Sequence, residues 1–250
     1  MIIYEMMGCS RSGHHSMMNW IIKNMVGFQC NWQYKLNWMS DTDVYFLGEA
    51  NHDIPLSFEM IDNFKEKIGT LLTGYEDTPW DYTIFREDRI FKGPKSLETS
   101  DRYNFDYRHR IVFIRDFYNN LASRIKSNQK QIFTKWDTGN PHLFEVTDKY
   151  IFRWKSQARA CVQNKVHYLR FEDWLENKDV RERFLFETFG LKDIFGVDEV
   201  DGTVSSFGDN KNVRERFNPD LIPDEIKELI RKDNELHFLI GKLGYEYKEI

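Results

Sequence analysis

Near its start the chain carries a glycine loop, Gly8-Cys9-Ser10-Arg11-Ser12-Gly13-His14-His15-Ser16, set between a short apolar run and an amphipathic stretch. The run from Ile2 to Met7 is too brief for a helix and reads as a buried strand. From His14 to about Val26, Met17, Met18, Ile21, Ile22 and Met25 recur at spacings of three and four, which marks a helix with one apolar face. Strand, loop and helix in that order aim the free amides of the helix start, and the positive end of its dipole, into the loop. Two glycines five positions apart let backbone N–H groups curl around an oxyanion, and Arg11 adds a fixed cation. The loop is therefore read as an anion cradle. Its spacing fits the glycine half of a Walker A loop, but His14 stands where the lysine should follow, and His15 where a magnesium-holding Ser or Thr should stand. That makes an ordinary nucleoside triphosphate site a poor fit.

The same strand-then-helix order returns along the chain. Val44 to Gly48 reads as a strand, and Phe58, Ile61, Phe64, Ile68 and Leu71 predict an amphipathic helix ending near Gly74. The stretch from Trp80 to Lys92 alternates apolar and charged residues and predicts one or two further strands. Arg110 to Arg115 (RIVFIR) is β-branched and aromatic, the clearest strand in the sequence, and it runs into a helix from about Phe117 to Asn128. A helix capped by Asp148 and running to about Gln163, a strand over 165–171, a helix opened by Asp173 and Trp174 and stopping at Gly190, and a last helix from Pro223 complete the order. Parallel neighbours need crossover helices, so this alternation predicts an α/β three-layer sandwich around a mostly parallel sheet, in a single domain over residues 1–250.

Composition removes several function classes. With 41% hydrophobic and 16% aromatic residues and only 14 Gly and 6 Pro among 250, the chain is a compact globular protein rather than a disordered one. The net charge of −5 argues against nucleic acid as the main partner. Three scattered cysteines suggest neither a disulfide framework nor a zinc site, so a reducing compartment is expected. No apolar stretch approaches the ~20 residues of a membrane span, and no basic leader precedes the first strand. A cytoplasmic location is the expectation.

The wording CSRSGHHS at the end of a first strand resembles the 5′-phosphosulfate loop of the sulfotransferase family, with Arg11 in the basic place and His14 and His15 replacing the more usual Thr or Ser pair. A second match lies in RIVFIRDFYNNLASRIK, where Arg115 and Ser123 have the spacing of the family's strand-end Arg and helix Ser that hold the 3′-phosphate of the donor nucleotide. Eight residues carry the chain around the strand-to-helix turn and onward by one or two helical turns, so both side chains can face the carboxyl edge of the sheet. VHYLRFEDWL is similar to a later scaffold strand of the family, and Glu172 and Asp173 in it read as cap residues and partners of basic groups. The loop SSFGDNKNVRERFNPDL is similar to one that covers the donor, making Lys211, Arg214 and Arg216 candidates for contact with the nucleotide.

The resemblance implies a P-loop NTPase-like fold and transfer of a sulfuryl group from 3′-phosphoadenosine-5′-phosphosulfate to a hydroxyl or amine, releasing adenosine 3′,5′-bisphosphate, with no metal. The donor-binding residues it implies are Ser10, Arg11, Ser12, Gly13, His14, His15, Ser16, Arg115 and Ser123, beside the three basic residues of the later loop. Arg11 and Lys92 would stabilise charge on the leaving phosphate. Pro94 stands where some relatives place a catalytic His, so the base comes from elsewhere; Glu49 is the first candidate, His52 the second, with His14 and His15 as further ones. The acceptor would be a small molecule, a lipid or a saccharide. Two rival readings are a P-loop kinase or NTPase using ATP and magnesium, with the strand ending at Asp116 as its Walker B element, and a nucleotide-binding module without catalysis.

Overall fold

In the computed structural model, the described residues are 2–9, 13–26, 38–39, 44–49, 70–76, 107–128, 143–163, 166–200 and 218–250. Six strands, β1 (Ile2–Gly8), β2 (Trp38–Met39), β3 (Val44–Glu49), β4 (Thr70–Glu76), β5 (Tyr107–Ile114) and β6 (His167–Arg170), form one sheet in the order β2-β3-β4-β1-β5-β6. Only β2 runs antiparallel to its neighbour; every other pair is parallel. The first strand of the chain thus lies inside the sheet, between β4 and β5.

Seven helices accompany these strands among the described residues: α1 (His14–Val26), α2 (Phe117–Asn128), α3 (Leu143–Val162), α4 (Phe171–Glu176), α5 (Lys178–Phe189), α6 (Asp224–Lys232) and α7 (Asn234–Lys242). In β5 the unbroken run Ile111-Val112-Phe113-Ile114 is buried throughout, because successive side chains point to opposite faces and both faces are covered. Val112 and Ile114, with Met7 of β1, pack against Phe117, Leu121, Trp154, Ile226 and Leu239 from α2, α3, α6 and α7. Ile111 and Phe113, with Met6, pack against Met18, Ile21, Trp174 and Leu185 from α1, α4 and α5. The result is an α/β three-layer sandwich around a mostly parallel sheet. Within it, buried Glu5 on β1 accepts a charge-assisted bond at 2.9 Å from Arg110, its register partner on β5.

Several boundaries differ from the sequence expectations. Leu71 and Gly74 lie in strand β4, not at the end of a helix; the three-and-four spacing carries on into a segment that pairs with β1 and β3 instead. Asp148 sits inside α3, which begins at Leu143. The helix opened by Asp173 is two helices: the chain turns at Asn177, whose side chain accepts from Val180 N at 3.1 Å and caps α5. Gly190 does end α5, in the left-handed region at φ 69°, with its N–H bonded to Phe186 O. The expected strands of residues 80–92 lie outside the described residues.

Candidate functional site

The register places Gly8, the last residue of β1, opposite Phe113 of β5, so the two chains leave the sheet side by side at its carboxyl edge. From there they part. The helix after β1 packs on one face of the sheet and the helix after β5 on the other. This reversal makes the crevice between the ends of β1 and β5 the topological switch point, the position at which open α/β sheets bind ligands.

Gly13 immediately precedes α1 at φ 82°, a left-handed conformation, and its carbonyl accepts from Ser16 N at 3.0 Å and Met17 N at 3.2 Å. A Cβ at this position would lie 2.3 Å from Cε2 of Phe171, so glycine is required both by its backbone angle and by the ring beside it. The same ring carries a cation. The guanidinium carbon of Arg115 lies 4.7 Å from the Phe171 ring centroid, within cation–π range. Phe171 therefore joins the glycine turn to the strand-end arginine at one edge of the sheet.

Arg115 is only 4% exposed, so its charge is largely removed from water. Burial draws the pKa of its guanidinium down, opposed by the nearby carboxylates of Glu172 and Asp116; an arginine still keeps its proton there. Its backbone is held from both sides. Trp154 Nε1 of α3 donates to the Arg115 carbonyl at 3.1 Å, and the following N–H, that of Asp116, donates to Glu172 Oε1 at 3.1 Å. Glu172 Oε2 in turn accepts from the Tyr245 hydroxyl at 2.9 Å. Burial raises the pKa of Glu172, against the hydrogen bonds that favour its charged form, and burial and the adjoining carboxylate push Tyr245 well up.

Asp116 is committed to the helix it precedes, its Oδ1 accepting from Asn119 N at 2.8 Å. That is an N-cap. Ser123, two turns into α2, is 2% exposed and follows a row of other buried polar residues, Asn119 and Asn120. Asp173 pairs with Arg170 at 2.6 Å, as expected, whereas Glu172 addresses the Asp116 amide and Tyr245 rather than capping a helix.

The other sequence candidates fall in three groups. His14 and His15 are the first two residues of α1, with Ser16 half-buried in the same turn. Glu49 ends β3, opposite Gly74 of β4 after an irregularity in the register, which puts its backbone on the same carboxyl edge as Gly8. Two strand spacings, about 10 Å, separate β3 from β1. Ser10, Arg11, Ser12, His52, Lys92, Pro94, Lys211, Arg214 and Arg216 lie outside the described residues. The sequence reading did not single out Phe171, Trp154 or Tyr245. Phe171 and Trp154 carry only the apolar signal of a core residue, and Tyr245 stands far along the chain in a segment with no periodicity.

Among the described residues, no group of three or more His, Cys, Asp or Glu gathers as a metal-holding set, and no helix is long and apolar enough to cross a membrane. No protein-family model matches the sequence, and no curated protein matches it. Among solved structures the chain is similar to a mouse sulfotransferase, SULT7A1, complexed with PAP, at 9% identity and a TM-score of 0.49, covering 95% of this chain and 88% of that one. The fold rests on the strand order and register described above.

Proposed function

We propose that the chain is a sulfotransferase, moving a sulfuryl group from 3′-phosphoadenosine-5′-phosphosulfate to a hydroxyl or amine of a small-molecule, lipid or saccharide acceptor and releasing adenosine 3′,5′-bisphosphate. The observation that supports it is the Phe171 ring shared by Gly13 and Arg115, which sets the glycine turn and a buried cation together at the switch point. The donor set suits an anion. It offers a guanidinium, a hydroxyl and the start of a helix, while the nearby carboxylates of Asp116 and Glu172 already accept hydrogen bonds from the protein.

In this reading Ser10 to Ser16 bind the 5′ end of the donor through backbone amides and Arg11, and Arg115 with Ser123 grips its 3′-phosphate. Lys211, Arg214 and Arg216 contact the nucleotide. The acceptor oxygen or nitrogen attacks sulfur, the bond from sulfur to the phosphate oxygen breaks, and Glu49, or His52 in its place, takes the acceptor's proton. Arg11 and Lys92 stabilise the charge that moves onto the leaving phosphate. The protein's contribution is alignment and electrostatics, as in phosphoryl transfer.

Calorimetric titration with adenosine 3′,5′-bisphosphate and, separately, with ATP and magnesium tests this. Tight binding of the bisphosphate is expected, weakened about 10- to 100-fold in Arg115→Ala, the loss of one or two charge-assisted hydrogen bonds. A preference for ATP with magnesium overturns the reading.

A further inference from the structure

The peptide group between Arg115 and Asp116 is where β5 gives way to α2, and the orientation of the arginine side chain depends on it. Its two polar ends are held by different layers of the molecule. The carbonyl accepts from Trp154 on one face of the sheet, and the N–H donates to Glu172 at the start of α4 on the other. Three consecutive residues act on this point. Phe171 stacks under the guanidinium, Glu172 holds the peptide, and Arg170 donates to the carbonyls of Leu243 at 2.9 Å and Gly244 at 3.4 Å. Gly244 sits at φ 76°, and a Cβ on it would lie 3.0 Å from Arg170 Nη1, so the chain passes close against that arginine. The contact delivers the next residue, Tyr245, whose hydroxyl bonds Glu172. Arg170 also lies over the Tyr245 ring, 5.3 Å from its centroid.

We propose that Glu172 and Tyr245 are positioning residues for anion binding. Tyr245 fixes the Glu172 carboxylate, and the carboxylate fixes the Arg115–Asp116 peptide, so that the guanidinium lies ready over Phe171 before any ligand arrives. This rests on the reading of Arg115 as the group that holds the 3′-phosphate. A guanidinium ordered in advance loses less rotamer freedom on binding, so the gain appears as affinity for that phosphate alone.

The test compares adenosine 3′,5′-bisphosphate with adenosine 5′-monophosphate, which lacks the 3′-phosphate, by calorimetry on the wild type, Arg115→Ala, Glu172→Ala, Glu172→Gln and Tyr245→Phe. The ratio of the two affinities measures what the 3′-phosphate adds. Tyr245→Phe and Glu172→Ala are expected to lower that ratio by about 3- to 10-fold with monophosphate affinity unchanged, a span corresponding to the loss of a single positioning hydrogen bond. Glu172→Gln, which keeps an oxygen acceptor for Asp116 N, should retain most of the ratio. In the Arg115→Ala background, Glu172→Ala should cost nothing further, because the two residues act as one unit. An unchanged ratio in Tyr245→Phe and Glu172→Ala, or an equal loss for both nucleotides, overturns the proposal while leaving the role of Arg115 standing. If Arg115→Ala itself leaves the ratio unchanged, the reading of Arg115 fails and this inference fails with it. Should Glu172→Ala not fold, Tyr245→Phe carries the test alone, since it removes one hydroxyl and leaves the ring in place.

Discussion

Two helices leave the carboxyl edge of the sheet side by side, and they start in opposite ways. At the β5–α2 turn the protein supplies its own anion: Asp116 caps the helix with its carboxylate, and its N–H is taken by Glu172. At the β1–α1 turn no acidic residue stands in the first helical turn, and the helix is preceded by a glycine in the left-handed region. A helix start with a carboxylate already on its amides has its dipole answered from within the chain. Of these two neighbouring helix starts, the first is the one whose sequence, SRSGHHS, brings no negative charge of its own. The second start sets a cation beside the first, because Arg115 lies over the same Phe171 ring that meets Gly13.

The largest test of this contrast is steric. Gly13→Ala combines a left-handed conformation, costing about 1–2 kcal/mol, with a Cβ forced into Phe171, costing about 1–3 kcal/mol more. The backbone cost alone applies at Gly190→Ala, where φ is similar and no atom lies within 4 Å. Urea unfolding of the two variants should therefore show the Gly13 change to be the more damaging. Equal losses would mean that Phe171 does not press on the glycine turn.

A smaller effect is expected at the second turn. Asp116→Ala removes the cap of α2 and should cost about 1 kcal/mol, while Asp116→Asn, which still offers an oxygen to Asn119 N, should cost only a few tenths by the same denaturation measurement. If the asparagine variant is as damaged as the alanine one, the negative charge rather than the hydrogen bond is what the turn uses.

The smallest concerns pH. Burial raises the pKa of Glu172 in the folded protein, so the native state holds that proton more tightly than the unfolded chain. Its contribution to stability is then fully present below the ordinary carboxylate value, about 4.3, and is lost as the pH rises through the folded value. Glu172→Gln lacks this titration. The stability of the glutamine variant relative to wild type should therefore improve from pH ~4 upward, followed by thermal melts across pH. A difference that stays constant, or moves the other way, contradicts the burial of this carboxylate at the turn.

Local signals made the two helix starts legible. The three-and-four spacing of Met17, Met18, Ile21 and Ile22 set the bounds of α1, and RIVFIR marked β5, because each pattern repeats within a few residues and both faces of that strand are covered. The same spacing misled at Leu71, where partners on β1 and β3 decide for a strand and nothing within the segment announces them. Asn177 falls inside the single helix expected from Asp173 to Gly190, although its side chain caps a new one. Arg115 and Ser123 were singled out by the resemblance of their spacing to the sulfotransferase pair, and both are buried. What joins Arg115 to Gly13 was not legible. Gly13, Arg115, the adjacent Phe171 and Glu172, and Tyr245 come from four separate parts of the chain, and neither ring stacking nor a hydrogen bond across such a distance leaves any periodic trace.

The bond from the Trp154 indole to the Arg115 carbonyl gives the site a built-in reporter. Indole N–H signals fall in a sparse corner of a nitrogen–proton correlation spectrum, and this one should respond to any shift of the peptide that carries the arginine. Ligand arrival at the sheet edge could then be followed by magnetic resonance in the unaltered protein, with no label on the nucleotide.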